Sequence, residues 1–328
     1  MSKTLLISLC ILAVLAVALT AAAFYMFGLG IRRSSKEFLQ NSPDLAGHME
    51  EIAVDPSPAT ADNWLARQTL EQVSIQSADG LRLNGWYLEA ERPSGVTALL
   101  AHGYSGQGRD MASFAQIHHE LGYNVLMPDN RGHGQSEGEY IGFGWTDRLD
   151  YVNWTRYILQ RSGEDARILL HGVSMGGATV LMASGERLPE QVKGIIADCS
   201  YTSVKDILSY QLKRMFKLPA FPLIPLTSLI CKIKAGYFFG EASALKQVKR
   251  TEKPILFIHG EADTFVPFFM VHGLYKAAPA GKDLFMVPRA GHGLAFMTDK
   301  EGYRSRVTDF AKQCLEEKQK VLQARSEA

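Results

Sequence analysis

A serine with a glycine two residues to either side is the clearest reactive feature of the sequence. Ser174 lies between Gly172 and Gly176, after the apolar run 168–170 and before the helix-forming run 178–183. This order predicts a strand, a sharp turn and a helix, with the serine hydroxyl exposed at the turn. Glycine suits both flanking positions because the strained turn leaves no room for side chains. The pattern predicts a serine nucleophile.

Two later loops carry the partners that such a nucleophile needs. A serine requires a base to take its proton, and the base requires a carboxylate that orients it. Asp263 follows the apolar run 255–258, and the glycine-flanked His292 follows the run 284–287. In a parallel sheet, reactive groups gather beyond the carboxyl ends of the strands. We therefore expect Ser174, Asp263 and His292 to converge as nucleophile, acid and base.

A glycine-lined turn, Ala-His-Gly-Tyr-Ser-Gly at 101–106, follows the first central apolar run. Such a turn can aim the backbone N–H of Tyr104 at an acyl oxygen, beside the backbone N–H of Met175. The helix that begins next to the serine adds the positive end of its dipole. We predict that Tyr104 and Met175 form the oxyanion hole.

These motifs together resemble the alpha/beta-hydrolase superfamily, and more narrowly its membrane-anchored serine hydrolases. The resemblance covers residues 70–328 and includes His102-Gly103 and the Asp-Asn-Arg-Gly-His-Gly segment at 129–134. Dehalogenases and many epoxide hydrolases of this fold carry aspartate in place of the serine, so the resemblance argues against both. The site residues that it implies are Ser174 as nucleophile, His292 as general base, Asp263 as orienting acid, and Tyr104 and Met175 as oxyanion donors.

Other polar residues at strand ends are interpreted as structural. Asp198 is the one serious competitor of Asp263, because some members of the superfamily place the acid after that strand; we favour Asp263. Cys199 is expected to be a small buried residue. The sequence has no zinc-type spacing, so we expect neither metal nor cofactor. The histidines expected to support turns are His102, His133, His171 and His259, while the adjacent His118 and His119 diverge on a helix.

Short apolar strands alternate with helices along the rest of the domain, which predicts a mostly parallel sheet covered on both faces. A hairpin at Asp79-Gly80 opens it with two antiparallel strands. Helices are expected near 109–121 and 145–162. The fold class is therefore alpha/beta, the alpha/beta-hydrolase fold.

The first 33 residues are predicted to be a transmembrane anchor. Residues 4–31 are uncharged, and this stretch is longer than the about 20 residues that are needed to span a bilayer. A cleaved signal peptide is the competing interpretation, because three alanines at 21–23 follow an apolar stretch. We favour the anchor, since apolar residues continue through 24–27. The few flanking basic residues leave the orientation open. Residues 34–69 are expected to be a linker with a short helix near 62–65.

Residues 203–253 interrupt the alternation and predict a helical cap over the site. Ten Lys or Arg face three acidic residues here, so the segment carries +7 and the remainder −6. A solvated helix face explains this composition. A basic, apolar cap that admits acyl chains or lipid-like esters with anionic groups explains it equally well.

The whole chain, with 328 residues and a net charge of +1, has no basic excess that would indicate a nucleic-acid partner. Its four cysteines have no paired spacing. We expect a membrane-anchored serine hydrolase that cleaves carboxylic esters or thioesters of small acyl-ester or lipid-like substrates through an acyl-enzyme. The alternatives are a serine peptidase of the same fold and a catalytically silent binding module tethered to the membrane.

Overall fold

The core of the molecule is one eight-stranded sheet. A computed structural model of the chain describes residues 2–36, 39, 57–92, 94–279 and 281–326. The strands are β1 (Leu70–Gln76), β2 (Arg82–Leu88), β3 (Val96–Ala101), β4 (Asn124–Pro128), β5 (Arg167–Val173), β6 (Val192–Asp198), β7 (Ile255–Gly260) and β8 (Lys282–Val287).

The strand order is β1-β2-β4-β3-β5-β6-β7-β8. β2 pairs antiparallel with both β1 and β4, and every other pair of neighbours is parallel. Strands β3 and β7 are buried along their whole length, as expected for a sheet covered on both faces. The predicted alpha/beta fold with a mostly parallel sheet is confirmed.

Helices cover both faces of this sheet and extend from one end of it. In chain order they are α1 (Lys3–Gly30), α2 (Ser57–Ala66), α3 (Ala112–Glu120), α4 (Asp147–Ser162), α5 (Met175–Ala183), α6 (Val204–Phe216), α7 (Leu223–Ala235), α8 (Ala244–Gln247), α9 (Phe269–Ala277), α10 (Ala295–Thr298) and α11 (Lys300–Ser326). Short 3₁₀ turns at Gly108–Met111 and Val248–Arg250 precede α3 and follow α8. The helices predicted near 109–121 and 145–162 are confirmed as α3 and α4.

The predicted hairpin joins β1 to β2, with Gln76 opposite Arg82. Gly80 adopts a φ of +90°, which explains glycine at this position of the turn. The β1–β2 hairpin therefore forms the antiparallel edge of the sheet.

Helix α1 is long and apolar enough to cross a bilayer, by length and composition. Both an anchor and a signal sequence have such a composition. Its first sixteen residues, 3–18, are exposed, whereas Ala23 and Phe27 are buried against the domain. Beyond the helix, Ile31 and Arg33 exchange backbone hydrogen bonds with the segment 139–141. The C-terminal end of α1 is thus part of the globular core.

Most of the predicted linker, residues 37–38 and 40–56, lies outside the described residues. The short helix expected near 62–65 is present as α2. Ala61 and Leu65 of α2 are buried in a cluster with residues of β3 and α3. The last part of the 34–69 segment therefore packs on the domain, while its role as a linker stays a prediction.

The 203–253 segment consists of α6, α7, α8 and a 3₁₀ turn, so its predicted helical character is confirmed. Helix α7 packs against α1. The chain breaks between α6 and α7 at the proline-rich stretch 217–222, as expected from the sequence. Helix α6 reaches the loop after β7, where the Tyr210 hydroxyl donates to the Thr264 carbonyl at 2.9 Å.

Candidate active site

Ser174 occupies the sharp turn between β5 and α5, with φ 57° and ψ −116°. This conformation is strained for a residue with a side chain, at a cost of about 1–3 kcal/mol. A Cβ at Gly172 would collide with the Gly176 carbonyl, and one at Gly176 would collide with the Ala101 carbonyl. The close packing of strand, turn and helix explains both glycines and presents the serine hydroxyl at the end of the sheet.

The structure brings the three predicted residues together. His292 Nε2 lies 2.8 Å from Ser174 Oγ, and His292 Nδ1 lies 2.8 Å from Asp263 Oδ2. Ser174 follows β5, Asp263 follows β7 and His292 follows β8, so the parallel strands deliver all three to one edge. Asp263 and His292 are buried. The arrangement is a continuous hydrogen-bonded chain from carboxylate to hydroxyl.

The hydrogen-bond partners determine the protonation of His292. The Asp263 carboxylate is an acceptor, so Nδ1 carries the proton and the Nε2 lone pair faces the serine hydroxyl. Burial raises the pKa of Asp263, but the charge and hydrogen bonds of the neighbouring histidines outweigh it and hold the pKa well below its usual range. The acid therefore stays ionised, and the imidazole is oriented to accept a proton.

Asp263 is itself held by its own loop. Its Oδ1 accepts hydrogen bonds from the backbone N–H of Phe265 at 2.9 Å and of Val266 at 2.8 Å. The ring of Phe265 packs on His292 with ring centroids 4.9 Å apart. The loop after β7 thus fixes the carboxylate and one face of the imidazole together.

His259 is a site residue that the sequence interpretation assigned only to turn support. Its Nε2 lies 2.8 Å from the Val266 carbonyl and 3.2 Å from Asp263 Oδ2. The carbonyl only accepts hydrogen bonds, so Nε2 carries a proton that it shares with the carboxylate. The sequence signal was present, because His259 lies near the end of β7, four residues before the acid.

Asp198, the competing acid, has a different partner. Its Oδ2 accepts a hydrogen bond from the Tyr303 hydroxyl at 3.0 Å, whereas the Nδ1 of His292 is bound to Asp263. Burial, partly offset by the bond from Tyr303, raises the pKa of Asp198 to about 6. The structure therefore pairs Asp198 with Tyr303, and Asp263 with the imidazole of His292.

The turn at 102–104 lies beside the serine. Ala101 and Gly172 are partners in the pairing of β3 with β5, and a Cβ placed on Gly103 would lie 3.6 Å from the Cβ of Ser174. The backbone N–H of Asn130 donates to His102 Nε2 at 2.9 Å, so the proton of this ring is on Nδ1, 2.8 Å from the Gly103 carbonyl. Burial lowers the pKa of His102 to about 4, which keeps it neutral.

The two predicted oxyanion donors border this turn. Met175 is the first residue of α5, where backbone N–H groups have no acceptor within the helix. Tyr104 follows Gly103 directly, and its side chain is partly buried, with the hydroxyl donating to the Gly30 carbonyl at 2.7 Å. The side-chain hydroxyl is thus engaged elsewhere, and only the backbone of Tyr104 is available at the turn.

The Asp-Asn-Arg-Gly-His-Gly segment at 129–134 supports the site from behind. Arg131 forms a two-pronged ion pair with Asp150, with both N–O distances 2.7 Å, and also contacts Asp79. Asn130 binds the His102 backbone as well as its ring. Asn130 thus holds the turn that carries Tyr104, while Arg131 joins the segment to α4 and to the β1–β2 hairpin.

One group of side chains near the site could in principle hold a metal ion. The ligand atoms of Cys199, Asp263 and His292 lie within 4.8 Å of one another. Burial raises the pKa of Cys199 well above its ordinary value, which disfavours the thiolate that binds metals. The imidazole and carboxylate already bind each other. The donor set therefore fits a proton-transfer site better than a metal site.

Two further histidines, His118 and His171, lie in the core. His118 is buried and lies 3.0 Å from a ring nitrogen of His171, which in turn contacts the Tyr303 hydroxyl. His119 reaches the Glu89 carbonyl. Their side chains diverge, as the sequence indicated.

A family model for the prolyl oligopeptidase family matches residues 110–318. The uncharacterized protein YqkD of Bacillus subtilis is 29% identical over 236 residues, which cover 72% of this chain and 77% of that protein. The uncharacterized membrane protein YNL320W of Saccharomyces cerevisiae is 24% identical over 242 residues, 73% of this chain and 78% of its own length. Among solved structures, the esterase Pf2001 of Pyrococcus furiosus superposes with a TM-score of 0.62 at 25% identity, covering 75% of this chain and 91% of the esterase.

Proposed function

The chain belongs to the prolyl oligopeptidase family of alpha/beta-fold serine hydrolases, and we propose that it is a membrane-anchored enzyme that cleaves carboxylic esters or thioesters. The observation that carries the proposal is the hydrogen-bonded chain from Asp263 through His292 to Ser174. A serine hydroxyl in contact with an unprotonated imidazole nitrogen is an activated nucleophile.

Acylation begins when Ser174 Oγ attacks the carbonyl carbon of the substrate and His292 Nε2 takes the hydroxyl proton. The resulting tetrahedral oxyanion is stabilised by the backbone N–H groups of Tyr104 and Met175. The bond to the leaving group then breaks, and His292 donates its proton to the oxygen of the departing alcohol or to the sulfur of the departing thiol. The acyl group remains on the serine.

Deacylation repeats these steps with water. His292 accepts a proton from a water molecule, the hydroxide attacks the acyl carbon, and the Ser174–acyl bond breaks as the proton returns to Oγ. Asp263 stays ionised throughout and stabilises the imidazolium that forms twice in the cycle. The products are a carboxylic acid and a restored enzyme.

The membrane part of the proposal rests on α1, and is supported by the similarity to a yeast protein described as a membrane protein. The choice of ester or thioester rests on the similarity to an esterase. The family description names oligopeptidases, and this favours a serine peptidase as the second candidate. The same residues would cleave an amide if the leaving amine is protonated efficiently.

A fluorophosphonate probe and a substrate panel test the proposal. The full chain in detergent should be labelled at Ser174, and a Ser174→Ala variant should not be labelled. Nitrophenyl acyl esters and acyl thioesters should be turned over much faster than acyl-amide and peptide substrates. Preference for peptides would establish the second candidate, and no labelling of Ser174 would contradict both and indicate a silent module.

A further inference from the structure

A narrow apolar cavity of about 90 Å³ lies where the N-terminal helix meets the cap. Helix α1 contributes Met26 and Leu29 to its wall, and the cap helices α6 and α7 contribute mainly aliphatic and aromatic side chains. Gln211 of α6 is a polar lining residue, and its Oε1 is buried with no hydrogen-bond partner among the described residues. Thr227 of α7 is the other polar side chain of the lining, and its hydroxyl also has no partner among the described residues, so the wall is apolar apart from these two side chains.

The Gln211 side of the cavity adjoins the candidate active site. Gln211 Nε2 donates to the Phe265 carbonyl at 2.6 Å, and the Phe265 ring packs on His292. The carbonyl of Gly30, another lining residue, accepts a hydrogen bond from the Tyr104 hydroxyl at 2.7 Å. Residues that line the cavity thus contact both the loop of the acid and the turn of the oxyanion hole.

The length of α1 places the cavity at the level of a membrane surface. The exposed residues 3–18 rise about 24 Å along the helix axis, less than the ~30 Å hydrocarbon core of a bilayer. The bilayer must therefore extend toward Phe24 and Tyr25, which are 51% and 64% exposed and are aromatic, as is typical of the membrane–water interface. The lining residue Met26 follows them directly.

We propose that this cavity holds the acyl chain of a membrane lipid ester, with α1 forming one wall of the substrate site. The chain enters from the bilayer beside Met26, and the ester carbonyl reaches Ser174 at the end of the cavity marked by Gln211. The apolar lining suits an unbranched acyl chain, because the chain passes from the bilayer into the cavity without leaving an apolar environment. The N-terminal helix then has two roles, as a membrane anchor and as part of the substrate-binding site. This inference rests on the proposed esterase activity.

Exposed side chains of the cap fit the same location. Phe216 and Leu218 are each 38% exposed and Phe221 is 78% exposed at the break between α6 and α7, in a stretch that also carries Lys213 and Lys217. Exposed aromatic and basic side chains next to a membrane helix are typical of an interfacial surface.

Narrowing the cavity from the side of α1 tests the proposal. A Met26→Trp variant of the full chain in lipid nanodiscs is compared with Phe24→Trp, which adds the same ring on an exposed face of the same helix. We expect Met26→Trp to lower the ratio of kcat/KM for dodecanoyl over acetyl nitrophenyl esters at least 10-fold, with the acetyl ester affected less than about threefold. Phe24→Trp should leave the ratio unchanged. An unchanged ratio in an active Met26→Trp enzyme overturns the proposal.

A second measurement does not depend on the folding of a variant. A long-chain alkyl fluorophosphonate with a photoreactive diazirine at its end is allowed to label Ser174 of the wild type and is then irradiated. Cross-links to peptides that contain residues 26–31 or 208–224 support the proposal. Cross-links confined to other regions overturn it while leaving the labelled serine, and hence the hydrolase proposal, intact. Failure of any probe to label Ser174 contradicts the hydrolase proposal first, and this inference with it.

Discussion

The hydroxyl of Tyr104 donates a hydrogen bond of 2.7 Å to the carbonyl of Gly30, the last residue of α1. The turn that carries a proposed oxyanion donor is thereby joined to the end of the apolar N-terminal helix. The Tyr104 ring also packs on Phe143, with ring centroids 5.1 Å apart, and Lys36 Nζ lies 5.4 Å from its centre. The N-terminal helix and the candidate active site therefore share a structural element.

Replacing Tyr104 by Phe separates the roles of its side chain and backbone. The variant leaves the Gly30 carbonyl without this donor, so we expect the free energy of unfolding to fall by about 1 kcal/mol. Hydrolysis of a short ester should fall less than 10-fold, because the backbone N–H is retained. Denaturant unfolding and acetyl-ester kinetics check this, with Tyr25→Phe on the exposed face of α1 as the control. A loss of 1000-fold in a folded protein would mean that the hydroxyl itself participates.

Asp263→Asn and Asp198→Asn distinguish the two buried acids. An amide at 263 cannot hold the Nδ1–H form of His292, so kcat should fall about 10³- to 10⁴-fold. Asp198→Asn should retain kcat within about 10-fold, since Asp198 is bound to Tyr303. Steady-state kinetics with a short ester provide the measurement. The reverse ranking would assign the acid to position 198.

His259→Leu removes an N–H shared by Val266 and Asp263. A hydrogen bond to a charged group contributes about 1.5–3 kcal/mol, so kcat should fall roughly 10- to 100-fold if the bond orients the carboxylate. His259→Gln, which can supply an amide N–H, should recover part of the loss. If both variants are as active and as stable as the wild type, His259 does not orient the carboxylate and only supports the turn.

Gly176→Ala tests the packing of the serine turn. A Cβ there meets the Ala101 carbonyl, so the strand and helix must move apart, and we expect a loss of about 3 kcal/mol in the free energy of unfolding together with loss of fluorophosphonate labelling. Gly240→Ala is the matched control, because no atom of the described residues lies within 4 Å of a Cβ at that position. Comparable stability of the two variants would contradict the packing argument.

The raised pKa of Asp198 predicts a pH dependence of stability. The folded protein holds this proton up to about pH 6, whereas the unfolded chain releases it near pH 4. Between these values the folded state binds more protons, so the contribution of Asp198 to stability falls as pH rises, by up to about 1.4 kcal/mol per pH unit. Asp198→Asn removes this pH-dependent contribution to the free energy of unfolding. The stability of the variant relative to wild type should therefore increase from pH 4 to 6, as measured by denaturant unfolding at each pH. A difference in stability between variant and wild type that is constant with pH would contradict the raised pKa of Asp198.

Much of the candidate site follows from local pattern. The glycines at 172 and 176 signal a turn too crowded for side chains, and the apolar runs before Ser174, Asp263 and His292 mark each as a residue beyond a strand end. Parallel strands have their carboxyl ends at one edge, so three residues spread over the chain could be assigned to one place. The mostly parallel sheet followed from the same alternation of strands and helices.

The sequence favoured Asp263 over Asp198, but both acids lie at the ends of neighbouring strands, and only the side-chain geometry shows that Asp263 contacts His292. The contact of His259 with Asp263 and the cavity between α1 and the cap were likewise absent from the pattern. The sequence determined the strands, the turn glycines and the apolar N-terminal helix because these depend on residues close together along the chain. Tertiary structure alone decided which polar atoms meet and where the N-terminal helix packs, because those contacts join residues far apart in the chain, such as Ser174 and His292, and depend on how the elements pack in three dimensions.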